Sequence, residues 1–186
     1  MRKTDPAAGH KPPEGWTKER RYQRTGCDLV ARFLYQDRWR KARTTTLSGG
    51  GAFLACPVRV LPDQVIWVEI ELEGYHVSAI SRVVWNSRKK RIIGKTKSYP
   101  PGFAVEFENM DGKNRLLVSR FVIKSLRMLR MLTHELEQPA PDRDKIRSLF
   151  ISYRPGDSIN LNHIRKIVKQ EFRHYRLRRI EFGDKE

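Results

Sequence analysis

The stretch Gln64-Val65-Ile66-Trp67-Val68-Glu69-Ile70-Glu71-Leu72 decides the fold. Ile66, Val68, Ile70 and Leu72 alternate with Trp67, Glu69 and Glu71. Successive side chains of an extended strand point to opposite faces, so this segment has one apolar face and one wet face. The same period recurs on both sides of it. Upstream, Leu29, Ala31, Phe33 and Tyr35 share a face, with Asp28, Arg32 and Gln36 among the residues opposite. A Thr-rich segment over residues 39–47 ends at Ser48-Gly49-Gly50-Gly51, and residues 52–56 form a short apolar strand after that turn. Downstream, Glu73-Gly74 turns the chain into residues 76–85, and residues 102–107 supply a sixth strand beyond a long basic loop. Six short strands separated by turn signals, with no helix-length segment among them, predict antiparallel pairing in a small barrel.

From residue 112 to 137 the period becomes helical. Leu117, Phe121, Met128 and Leu132 form one apolar stripe, and Val118, Val122, Leu126 and Leu129 form another. A barrel covers one stripe, so the second calls for a cover: the C-terminal segment, or a second copy packed isologously as a homodimer. We expect the homodimer. Pro139, Pro141 and Asp142 end the helix. Residues 145–153 alternate weakly, Pro155-Gly156 turns, and Asn160 or Asn162 can cap a last helix with Ile164, Ile167, Val168 and Phe172 on one side. The expected organisation is a flexible tail (1–17), a mainly β barrel with its trailing helix (18–138), and a basic α/β C-terminal extension (139–186).

The chain of 186 residues carries 38 Lys plus Arg against 21 Asp plus Glu, a formal net charge of +17. Such a charge favours polyanionic partners: nucleic acid, a nucleotide or an acidic membrane surface. With 39% hydrophobic residues the chain can nevertheless build a core. No apolar run is long enough to span a membrane, and the first thirteen residues lack the apolar centre of a secretion signal, so a cytoplasmic location is expected. Cys27 and Cys56 lack metal-site spacing and read as buried thiols. His10, His76, His134, His163 and His174 are scattered, and no HExxH, zinc-ligand spacing or GxSxG occurs, which leaves an enzyme without a candidate centre.

Two motifs carry chemistry. Lys18-Glu19-Arg20-Arg21-Tyr22-Gln23-Arg24 places two arginines as Arg20-x-x-x-Arg24 just before the first strand. Each guanidinium is a flat fork of donors suited to phosphate oxygens or to the O6 and N7 edge of guanine, and two forks on a hinge can clasp a ligand against a barrel. Thr46-Leu47-Ser48-Gly49-Gly50-Gly51 offers glycines that let a ligand approach the backbone and a Ser hydroxyl that can bond a phosphate oxygen. It is no P-loop, since no Gly-Lys-Ser/Thr and no helix follow. Trp16 lies near the arginine arm, while Trp67 and Trp85 belong to strand patterns.

Taken together, Arg20-x-x-x-Arg24, the Ser48-x-x-Gly51 turn some twenty residues on, Arg82-Val83-Val84-Trp85, and Gly102-Phe103-Ala104-Val105-Glu106-Phe107 before a helix resemble the PilZ domain, a bacterial receptor module for cyclic di-GMP. The resemblance covers residues 18–132. It implies a six-stranded antiparallel barrel with a trailing helix and a nucleotide site formed by Arg20, Arg21, Arg24, Thr46, Ser48, Gly50 and Gly51. Arg20 and Arg24 would grip phosphates and guanine edges, Ser48 would contact ligand, and Gly51 would permit the turn. One residue departs from the family pattern: Thr46 stands where Asp or Asn is usual and offers no carboxylate or carboxamide to the guanine N–H groups. A bidentate base contact is worth about 1–3 kcal/mol, so the departure implies weaker binding by roughly ten- to a hundredfold.

These readings lead to a non-enzymatic cyclic di-GMP effector that acts on a downstream protein. The alternative is a degenerate barrel that regulates transcription by holding DNA. That role would fall to the acid-free run Arg88, Lys89, Lys90, Arg91, Lys95 and Lys97, and to Arg165, Lys166, Lys169, Arg173 and Arg176 of the last helix.

Overall fold

The computed structural model describes residues 22–87, 100–154, 157 and 159–175, the last four by backbone alone. The expected tail, Trp16, Arg20, Arg21 and the basic run at 88–97 lie outside the described residues. Six strands, β1 (Arg24–Tyr35), β2 (Arg38–Ser48), β3 (Gly51–Ala55), β4 (Val65–Leu72), β5 (Tyr75–Ser87) and β6 (Gly102–Asn109), are followed by helices α1 (Gly112–Leu136), α2 (Arg143–Tyr153) and α3 (Leu161–Tyr175). All strand pairs are antiparallel, and the sheet closes as a barrel in the order β1-β2-β3-β6-β5-β4. The deciding segment behaves as its alternation requires: Ile66, Val68, Ile70 and Leu72 are buried while Trp67 and Glu71 face solvent. Glu73 and Gly74 both adopt positive φ, the conformation that a two-residue hairpin needs to match strand twist, and Gln36 and Asp37 do the same between β1 and β2 without glycine. Inside the barrel Phe33 meets Phe103 edge to face, with ring centroids 5.1 Å apart.

Helix α1 starts where Asp111 caps it, its carboxylate accepting from the Asn114 N–H at 2.8 Å. Both apolar stripes are covered within one chain, and the division runs along the helix instead of around it. Val118, Val122 and Leu126, with Leu117 and Phe121 beside them, pack on the barrel core. Leu129 and Leu132 belong to a second core with Ile146, Phe150, Tyr153, Ile164, Ile167 and Val168 of α2 and α3. This removes the reason for expecting a homodimer, because the stripe that was to be its interface is buried. Cys27 and Cys56 are buried free thiols, and burial raises the pKa of both.

The extension is helical in its described part, which corrects the α/β expectation. Residues 145–153 form most of α2, because Ile146, Phe150 and Tyr153 recur at helical spacing and all three are buried. Asp142 caps this helix, accepting from the N–H groups of Asp144 and Lys145 at 3.0 Å each. Asn160 caps α3, accepting from the Asn162 N–H at 2.9 Å.

A buried polar cluster ties this extension to the barrel. Glu171 of α3 accepts from the Tyr153 hydroxyl and pairs with Arg154 at 2.9 Å; Arg154 also reaches Asp157 at 3.3 Å. Burial raises the pKa of the Glu171 carboxyl against the opposing pull of Arg154 and the Tyr153 hydroxyl. The Glu171 carboxylate occupies the space that a side chain on Gly26 would fill: a Cβ there would lie 2.7 Å from Oε2 and closer still to Oε1. Removing one partner of a buried charge pair leaves the other uncompensated, so Glu171→Ala is expected to destabilise the protein by about 3 kcal/mol, measured by chemical denaturation.

A second link, Glu135 of α1 to Lys145 of α2 at 2.7 Å, also accepts from the Asp142 N–H at 3.2 Å. Lys145 and that N–H hold the Glu135 carboxyl below its usual range. A depressed folded-state pKa contributes stability above the unfolded pKa that is lost as pH falls through the folded one. Glu135→Gln should therefore melt lower than wild type at neutral pH, and the difference should vanish as pH drops below the ordinary carboxylate range, as followed by thermal melting at a series of pH values.

Candidate functional site

The barrel register brings the two sequence motifs together. Arg24 opens β1 directly opposite Ser48, which ends β2; Ser48 faces Gly51 at the start of β3, and Gly51 faces Glu106 on β6. Arg24, Ser48 and Gly51 thus form one cross-strand row. Of the residues expected at the site, Arg24, Thr46, Ser48, Gly50 and Gly51 lie on adjoining strands and their turn, whereas Arg20 and Arg21 lie outside the described residues. Thr46 sits half-buried, opposite Gly26 on β1 and Phe53 on β3.

Ser48 is buried, and its hydroxyl donates to the Gly51 carbonyl at 3.0 Å, so in this state it shapes the turn. Gly51 also has a different reason for being glycine than the one expected. Its φ is not positive; instead a Cβ would fall on the Val105 carbonyl, 3.3 Å from the Glu106 Cα as well, because β3 and β6 approach closely there. The Gly50 carbonyl accepts from the Phe107 N–H at 2.9 Å and ties the turn to β6.

Two residues that the motif reading passed over complete the site. The Tyr22 ring lies across the turn, where Cβ atoms on Gly49 and Gly50 would come within 2.8 and 2.6 Å of ring carbons. From the first turn of α1, Arg115 donates through Nη1 to the Tyr22 hydroxyl and to the Gly49 carbonyl, both at 3.3 Å. Tyr22 stands within Arg20-x-x-x-Arg24, and that position is the signal by which it could have been found. Arg115 lies 66 residues from Gly49 and has no local signature. The same holds for Glu171, which reaches Gly26 two residues beyond Arg24. Arrayed this way, the turn and α1 set the Arg115 guanidinium beside the Gly49 carbonyl at the rim of the barrel, a donor–acceptor pair of the kind that holds a base by paired hydrogen bonds.

The sequence profile of the PilZ domain matches residues 18–124, more than half of the chain, and the protein belongs to the PilZ domain family. A comparison with curated proteins finds no match. Among solved structures, YcgR from Escherichia coli in complex with c-di-GMP shares the fold with a TM-score of 0.50 at 15% identity, over 63% of this chain and 50% of that one. The PilZ domain of YcgR with c-di-GMP aligns with a TM-score of 0.47 at 20% identity, over 63% of this chain and 99% of that domain. The Bacillus subtilis inhibitor of motility (MotI/DgrA) gives 0.48 at 17% identity, over 59% and 52% of the two chains. The match thus spans about half the length of YcgR and of the Bacillus protein.

The glycine contacts yield a stability test. Gly51→Ala forces a Cβ into backbone and should cost about 2 kcal/mol or more, the scale of an overpacked site. Gly50→Ala meets only the movable Tyr22 ring and should cost much less. Denaturant midpoints of the two variants check the order.

Proposed function

We propose that the protein is a non-enzymatic receptor for cyclic di-GMP, as is typical of PilZ domains, acting in the cytoplasm on a downstream protein. The observation that carries this reading is the row Arg24–Ser48–Gly51, in which an arginine of the arm stands against the glycine-rich turn. Ligand binding closes Arg20, Arg21 and Arg24 onto that turn. Because the Glu171 carboxylate packs against Gly26, two residues beyond Arg24, a shift at the base of the arm reaches α3, and the helical extension is the surface on which a partner reads occupancy. A second copy of the chain is not needed for this, since the stripe Val118, Val122, Leu126 and Leu129 is already covered within the chain.

Calorimetric titration of the full chain with cyclic di-GMP should show saturable binding. A charge-assisted hydrogen bond contributes about 1.5–3 kcal/mol, so Arg24→Ala should weaken binding roughly tenfold or more. Thr46→Asp, which restores an acceptor for guanine N–H donors, should tighten it. Absence of binding at about 100 micromolar ligand, a generous ceiling for a signalling receptor, overturns the reading.

One observation favours a second reading, in which nucleic acid is the partner. Arg143 and Arg147 of α2 and Arg165 of α3 line an open groove of about 380 Å³ with Asn160 and Asn162 at the start of α3. If this groove holds DNA phosphates, affinity for duplex DNA falls steeply with salt, and Arg147→Ala reduces the slope of log K against log salt by about one. A salt-insensitive or absent DNA interaction removes that reading.

A further inference from the structure

Arg115 differs from the four arginines Arg32, Arg43, Arg82 and Arg154 in what it touches. Arg32, Arg43, Arg82 and Arg154 each pair with a carboxylate. No carboxylate among the described residues pairs with Arg115, whose partners are two neutral oxygens, the Tyr22 hydroxyl and the Gly49 carbonyl. Its charge is therefore uncompensated at the turn where the ligand is proposed to sit. Its root is also fixed in advance. The Arg115 N–H donates to the Asp111 carbonyl at 3.0 Å in the capped first turn of α1, and Val118, one turn on, is fully buried against the barrel. A group held in place before binding loses little freedom when the ligand arrives.

The pairing of Arg115 with Gly49 sets a donor beside an acceptor. The guanidinium is donor-only with five N–H groups, and a carbonyl oxygen has two lone pairs, so each keeps capacity for a further bond; Gly49 is buried under the Tyr22 ring in this state, and a base reaches its carbonyl by displacing that ring. Guanine presents the complement on its Watson–Crick edge: the O6 acceptor next to the N1–H donor. Adenine presents the reverse, an N6–H donor next to the N1 acceptor. Thr46 leaves the guanine N–H groups without a side-chain carboxylate or carboxamide, and the Gly49 carbonyl is an acceptor within the same turn.

We propose that Arg115 and the Gly49 carbonyl are the guanine-reading pair of this site, taking over the role for which Thr46 lacks the chemistry. Arg115 donates to O6 and Gly49 accepts from N1–H, with the Tyr22 hydroxyl holding the guanidinium in position until the base replaces it. This assignment rests on the cyclic di-GMP reading above and adds to it a residue outside both sequence motifs.

Titrations of the full-length protein with cyclic di-GMP and with cyclic di-AMP test it. Wild type should prefer cyclic di-GMP. Arg115→Ala should weaken cyclic di-GMP binding about tenfold while changing cyclic di-AMP binding little, so that the preference collapses. Arg115→Lys keeps the charge without the fork and should lose most of the preference as well; it decides the matter if the alanine variant fails to fold, with thermal melting as the control. Unchanged affinity and preference in both variants overturns the assignment. So does an equal loss for the two ligands, which is the signature of charge alone. If wild type binds cyclic di-GMP and the Arg115 variants do not differ from it, only this inference falls. If wild type does not bind, the receptor reading falls and this inference with it.

Discussion

Strand β1 is paired on both sides, to β2 from Arg24 to Tyr35 with a register shift between Gly26 and Leu29, and to β4 through Ala31 to Leu34, and this double pairing closes the barrel. Closure removes exposed sheet edges and commits each strand to one register, because a slip of a single residue would turn its apolar set outward. The position of the β2–β3 turn against the start of β1 follows from that register. So does the approach of β3 to β6, close enough that only glycine fits at position 51. The rim that carries the row Arg24, Ser48 and Gly51 is in this sense a product of barrel closure.

The second constraint is the burial of charge. Glu171 and Arg154 are taken largely out of water, which is tolerable only because each finds the other and Glu171 also accepts from Tyr153. Such a pair is sensitive to geometry, and here the geometry includes the backbone of β1 at Gly26. The helical extension is consequently attached to the barrel at two places of different character: an apolar seam shared with the second half of α1, and a polar contact beside the candidate site. The apolar seam lies along α1, whereas the polar contact lies against the first residues of β1.

Within the site, the hydroxyl of Ser48 and the carbonyl of Gly50 are engaged in building the turn. The Gly49 carbonyl is engaged as well, by the guanidinium of Arg115, with Tyr22 resting across Gly49 and Gly50. Three glycines in succession therefore serve two neighbours: Gly49 and Gly50 admit the tyrosine ring, and Gly51 admits the backbone of β6.

Much of this was legible in the residues alone. The alternation in 64–72, the Glu73-Gly74 turn and the helical period from residue 112 report local geometry, since strand and helix periods are set by the backbone itself. The spacing of Arg24 and of the Ser48-x-x-Gly51 turn likewise points to residues that the register sets in one row, while Arg20 lies outside the described residues. Residues 145–153 misled because a short segment with Ile146, Leu149, Phe150 and Tyr153 satisfies a weak alternation as well as a helical spacing, and its burial against α1 and α3 decides in favour of the helix. For a related reason the second stripe no longer calls for a homodimer: amphipathic pattern states which residues need cover, not what covers them, and here the barrel and the extension share α1 along its length. Arg115, Glu171 and the close approach at Gly26 had no local signal at all. They join positions far apart in the chain, and only the closed register of the barrel and the docking of α3 bring those positions within hydrogen-bonding reach.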